Sequence, residues 1–99
     1  MHARTGYFEL SPDRVDAAVS AFDEEQLPRY REQDGYKGFT LLANRGSGKV
    51  LGVSFWESQG KLRASDQLGS EAREAVHSAG GGQSEIVHEE WEVLIDDMA

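Results

Sequence analysis

Apolar and polar positions along this chain switch between a period of two and a period of 3.6, and the switches divide it into six elements. Residues 2–10 carry Thr5, Tyr7, Phe8 and Leu10, all compatible with a first strand. Ser11-Pro12-Asp13 then marks a helix start. Ser11 can cap free backbone N–H groups, Pro12 suits the first turn, and Asp13 suits the positive end of the helix dipole. Val15, Ala18, Val19 and Phe22 recur at i, i+3, i+4 and i+7 and form one apolar stripe. Pro28 predicts a break or kink near Gln26 or Leu27, with a short helical turn through Tyr30 after it and a stop at Asp34-Gly35.

Residues 36–44 and 50–57 read as strands. The turn-rich segment Arg45-Gly46-Ser47-Gly48-Lys49 joins them at hairpin length, which makes them antiparallel neighbours. Ser58 can cap a second helix starting near Gln59. Its inner face is Leu62, Ser65, Leu68, Ala72, Ala75, Val76 and Ala79, and Gly80-Gly81-Gly82 ends it. In a last strand over residues 86–95, Val87, Trp91, Val93 and Ile95 share one face, and His88, Glu90 and Glu92 share the other. The order β-α-β-β-α-β is the ferredoxin-like α+β arrangement. Leu41, Ala43, Val53 and Phe55 alternate with Leu42 and Trp56, so both faces of the central hairpin carry apolar groups. Helices cover one face of such a sheet. A second sheet across a two-fold axis is the simplest cover for the other, which predicts a homodimer. A monomer with one wet face is the alternative.

Composition narrows the function. The 99 residues suffice for a single domain, 1–99, with a small core. A net charge of −8 lacks the electrostatic footprint for phosphate backbones or anionic lipid, so neither nucleic acid nor a membrane surface is an expected partner. The chain has no cysteine, hence no disulfide framework and no thiolate metal site, which suits a cytoplasmic protein. The first residues lack the apolar run of a signal peptide, and no stretch approaches the roughly 18 apolar residues of a membrane span.

Four segments resemble antibiotic biosynthesis monooxygenase-like proteins. Gly35-Tyr36-Lys37-Gly38-Phe39 is similar to the turn and strand after their first helix. Gly52-Val53-Ser54-Phe55-Trp56-Glu57-Ser58 is similar to their third strand, which ends in a Trp-Glu-Ser signature. Leu62-Arg63-Ala64-Ser65 resembles the start of their second helix, and residues 87–94 their last strand. The resemblance implies a dimeric α+β barrel, two sheets closing against each other with helices outside. It implies no single activity, because that superfamily holds cofactor-free oxygenases of aromatic polyketides, heme-degrading enzymes and other small-molecule enzymes.

Candidate chemistry follows from placing residues on the strands. Gly6, Gly38 and Gly52 lie on three strands, and on a shared face their missing side chains leave room for a ligand beside Trp56. Arg4 and Phe8 would accompany Gly6, Tyr36 and Thr40 would accompany Gly38, and Ser54 and Trp56 would accompany Gly52. That lining is mostly apolar with a few polar handles, as in small-molecule pockets. The alternative is that the glycines mark bulges and close helix packing, and that Trp56 simply closes the core. An oxygenase of this kind needs no cofactor. Trp56 would stack on an aromatic or quinol-type substrate, Arg4 would stabilise its anion and Tyr36 would relay a proton.

The heme-degrading branch uses an Asn on the first strand, a Trp within the second helix and a His later on that helix, the one role a residue here, His77, could fill. Here no Asn precedes Asn44, and Trp56 precedes that helix. His77 shares a helix face with Asp66, Ser70 and Arg73, which reads as solvated. His88 and Glu90 could hold a proton or a metal, yet the pattern is common, and a polar interface or solvated face explains it; no metal site is assigned. Three functional classes remain open: the oxygenase, a non-catalytic dimeric module binding a metabolite or protein partner, and the heme enzyme.

Overall fold

The computed structural model describes residues 1–98. Four strands form one antiparallel sheet: β1 (His2–Glu9), β2 (Tyr36–Asn44), β3 (Lys49–Trp56) and β4 (Val87–Glu92), in the spatial order β2-β3-β1-β4. This is the ferredoxin-like β-α-β-β-α-β topology. Four α-helices lie on one face: α1 (Val15–Ala21), α2 (Leu27–Arg31), α3 (Gln59–Ala64) and α4 (Asp66–Ala79). The apolar stripe of the first helical region seats Val15, Ala18 and Phe22 in the core, and α3 and α4 add Leu62, Leu68, Ala72 and Val76. Each fully buried large apolar side chain contributes about 1.5–3 kcal/mol.

Both helical regions are segmented. A 3-10 turn, Pro12–Arg14, leads into α1, and a wide π turn, Phe22–Gln26, separates α1 from α2. Pro28 has no N–H to offer the preceding turn, and the helix accommodates it with this wider turn before running on to Arg31. The single second helix expected from the sequence is two helices. Ser65, with φ −93° and ψ 6°, ends α3, and its hydroxyl donates to the Leu62 carbonyl (2.6 Å) in competition with the backbone ladder. Ser65 is itself buried, and its carbonyl accepts from Gly69 as α4 begins. The last strand is also shorter than the expected 86–95. It pairs only with β1, and the final bond across runs from the Val93 N–H to the Met1 carbonyl. Leu94 and Ile95 beyond it are exposed.

Register fixes the rows that cross the sheet. On the helix-covered face one row is Leu41, Gly52, Gly6 and His88, and the next is Phe39, Ser54, Arg4 and Glu90. On the open face a row runs Leu42, Leu51, Tyr7 and Val87. A bulge between Tyr36 and Gly38 breaks the alternation of β2. Tyr36 therefore opposes Trp56, whereas Gly38 and Thr40 oppose Phe55 and Val53 of the open face. The three strand glycines do not share a face: Gly6 and Gly52 do, and Gly38 does not.

The hairpin turn depends on Gly48, at φ +80°, where an L side chain is strained. Its N–H donates to the Asn44 carbonyl (2.8 Å), and its carbonyl accepts from Leu10 (2.7 Å), docking the hairpin onto the end of β1. A Cβ there would lie 2.0 Å from the Leu10 carbonyl oxygen. Gly48→Ala is expected to cost more than about 1 kcal/mol in urea unfolding, combining strain and clash. Wild-type stability in the variant would remove the turn from this role.

Candidate functional site

Gly6 and Gly52 face each other at the centre of the sheet, and the hollow above them is the candidate site. The hollow is partly open; its cavity volume is ≈ 40 Å³, and the whole space within its mouth, open solvent included, is ≈ 410 Å³. β1 contributes Arg4, Gly6 and Phe8 to its floor, and β3 contributes Val50, Gly52 and Ser54. Phe39 and Leu41 close one side; Phe22, Tyr30, Ala72, Arg73 and Val76 of the helical layer close the top. The room left by the glycines is taken by the protein's own side chains. The Arg73 Cδ lies 2.8 Å from where a Gly6 Cβ would be, and the Phe39 Cζ lies 3.1 Å from where a Gly52 Cβ would be.

The polar end is cationic. Arg4 is only 6 % exposed and pairs with the carboxylate of Asp66, at the start of α4. Its Nε is buried without a hydrogen-bond partner among the described residues. Arg73 reaches over the same spot: from the Cβ position of Gly69, its NH1 is 2.9 Å away and the Arg4 NH1 is 3.4 Å away. Burial holds the Arg73 pKa below its ordinary value, and Arg4 lowers it further, against the opposing influence of Tyr30 and Asp66. Tyr30 is buried and its pKa is raised, desolvation outweighing the two guanidiniums, so the phenol stays protonated at neutral pH.

The sequence-predicted residues separate into three groups. Arg4, Phe8, Gly52 and Ser54 come together on the cavity wall. Trp56 and Tyr36 stand one layer behind it. Trp56 is completely buried, packs edge-on against Tyr36 (5.8 Å between ring centroids), and donates its indole N–H to the Ser54 hydroxyl (2.9 Å). Gly38 and Thr40 lie on the open face, because of the bulge. The missed residues are Arg73 and Tyr30. Arg73 was assigned to a solvated face from its charge. The available signal was Gly69 one turn earlier on that face, which leaves room for the guanidinium. His77 is not solvated either. Its ring packs edge-on against Phe8 (5.6 Å), and its Nε2 lies 2.6 Å from the Ser84 carbonyl oxygen. His88 is exposed, and Glu90 bonds Arg63 (3.2 Å). Among the described residues no group of three or more His, Cys, Asp or Glu side chains is placed to hold a metal ion, and no helix is long and apolar enough to cross a membrane.

Comparison with known proteins defines the class by fold. No family model matches the sequence. The fold is shared with a monooxygenase from Streptomyces coelicolor, the product of ActVA-Orf6, solved with nanaomycin D (TM-score 0.78, 20 % identity, covering 99 % of this chain and 91 % of that one). It is shared with SnoaB, a cofactor-independent oxygenase of Streptomyces nogalater (0.68, 13 %, 96 % and 94 %). The heme-degrader MhuD of Mycobacterium tuberculosis, solved with two hemes, has it too (0.73, 21 %, 99 % and 100 %), as does a dimeric ferredoxin-like protein from an uncultured marine organism (0.71, 9 %, 99 % and 91 %). The chain thus has the fold of antibiotic biosynthesis monooxygenases and dimeric α+β barrel proteins. In sequence it is 28 % identical over 95 residues to the uncharacterised protein Rv2558 of Mycobacterium tuberculosis. It covers 96 % of itself but only 39 % of that relative's length.

The bond between Ser54 and Trp56 supports the cavity wall from behind. Ser54→Ala leaves the indole N–H buried and unpaired, and unfolding free energy is expected to fall by about 1–3 kcal/mol. Urea denaturation followed by Trp fluorescence checks this; an unchanged midpoint would show that the bond carries no weight.

Proposed function

We propose that this domain binds a small phenol or quinol between sheet and helices and oxygenates it without a cofactor. The observation that carries the reading is a buried cation, Arg4, with an unpartnered Nε at the polar end, shared with Arg73, of a mostly apolar cavity. A guanidinium beside the ligand hydroxyl favours its ionisation, and an electron-rich phenolate reacts with oxygen. One phenol and one O2 give one quinone and one water: the ring carbon gains one oxygen atom, and the substrate supplies the electrons. Tyr30, protonated and on the wall, relays the proton, a role the sequence reading gave to Tyr36. Phe8, Gly52 and Ser54 shape the floor. Tyr36 and Trp56 position that floor from behind, and Trp56 packs at a tilt against Tyr30 (6.2 Å between ring centroids) where direct stacking on the substrate was expected.

A second reading is a non-catalytic binding module, favoured by a wall that carries no carboxylate or imidazole to act as a base; the cavity volume of ≈ 40 Å³ is well below the roughly 300 Å³ of an ordinary ligand pocket. Turning Arg73 and Phe39 out of the glycine gaps opens the hollow in either reading. Heme degradation is disfavoured because the His77 Nε2 is already engaged by Ser84. Oxygen uptake with dihydroxynaphthalenes decides between the first two. Turnover is expected in the wild type, with at least a tenfold lower kcat in Arg4→Met. Tight binding with no uptake selects the module.

The open face completes the reading. Tyr7, Leu42, Val87 and Trp91 are 37 %, 51 %, 55 % and 48 % exposed, and three of them lie in one row with Leu51. Such a contiguous apolar patch marks an interface, and we assign it to a second copy, with Gly38 and Thr40 on the contact side. Sedimentation is expected to show a dimer for the wild type and a monomer for the Tyr7→Glu/Leu42→Glu variant. A monomeric wild type would contradict this assignment.

A further inference from the structure

We propose that the cavity takes its ligand as an organic monoanion, an apolar body bearing one carboxylate that lies between Arg4 and Arg73. This deepens the reading of the cavity as the ligand site and rests on it. The two guanidiniums carry two positive charges, and the one carboxylate paired with them, Asp66, is 62 % exposed and shared with water. One positive charge is left over in a partly desolvated place. Glu90 stands opposite Arg4 in the sheet but is bonded to Arg63. Arg73 makes no ion pair among the described residues, and the buried Arg4 Nε has no acceptor. An unsatisfied buried donor is costly, and a carboxylate relieves it with the planar, two-oxygen geometry that matches a guanidinium fork.

The remaining polar groups on the wall, the Tyr30 and Ser54 hydroxyls, are neutral. They can donate to one carboxylate but do not neutralise the second charge of a phosphate monoester. Arg73 also stands between this cavity and a hollow at the sheet edge, of ≈ 190 Å³, lined by Ser70, Glu74, Ile86 and His88. Its side chain is thus both an anion contact and the partition a ligand displaces on entry.

The test pairs two probes of one shape, 2-naphthoate and 2-naphthamide. Affinities are measured by calorimetry, and the site is located by the methyl NMR signals of Leu41, Val50 and Val76. The wild type is expected to bind the carboxylate at least tenfold more tightly than the amide. Arg73→Met is expected to lose tenfold or more for the carboxylate and less than threefold for the amide, and Arg73→Lys to recover part of the loss. Circular dichroism checks that the variants fold, and the wild-type pair alone decides if they do not. Amide binding equal to or tighter than the carboxylate, with the same methyl shifts, overturns the anion and leaves the pocket standing. Failure of both probes to move these signals overturns the anion and the pocket together.

Discussion

Two glycines meeting across the centre of the sheet set the terms for everything above them. Gly6 and Gly52 are direct cross-strand partners, so one row of the helix-covered face has no side chains at its middle. Elsewhere that face is filled by Phe8, Val50 and Trp56 in the ordinary way. Over the glycines the helices find no apolar surface to rest on, and Phe39 and Arg73 reach in instead. Filling a gap with an aromatic ring is routine packing. The Gly6 gap takes the aliphatic stem of Arg73, and the guanidinium this carries into the hollow is half-buried, which is favourable only with a partner close by.

The electrostatics of the site run against those of the chain. The protein is acidic overall, yet its central hollow holds two arginines, of which Arg4 alone makes an ion pair among the described residues. Asp66 accepts one hydrogen bond from Arg4 and leaves the Arg4 Nε without a partner among the described residues. Tyr30 shares the same enclosure, and burial keeps its hydroxyl a donor. The proposed ligand, whether a carboxylate present from the start or a phenolate formed on binding, is the charge such an arrangement suits. A low local dielectric strengthens the interaction of Arg4 with any anion placed beside it.

Much of the fold was legible because binary pattern and turn chemistry agreed. The stripe Val15, Ala18 and Phe22 is in the core, and the hairpin turns where its glycines stand. The break at Ser65 was invisible because Leu62, Ser65 and Leu68 all remain on the inner face across it. The candidate lining was partly legible: Arg4, Phe8, Gly52 and Ser54 follow from strand alternation. Gly38 and Thr40 did not, because a bulge between Tyr36 and Gly38 puts neighbours of equal parity on opposite faces. Arg73 could not be placed by residue type, since a charged side chain on a helix reads as solvated. Its niche exists only when Gly69 and the distant Gly6 are brought together.

A structure of the domain with bound 2-naphthoate tests the central claim most directly. The account predicts the ring over Gly6 and Gly52, the carboxylate between Arg4 and Arg73, and the Arg73 side chain withdrawn from the Gly6 gap. A ligand bound on the open face of the sheet, with Arg73 still packed against Gly6, would contradict it.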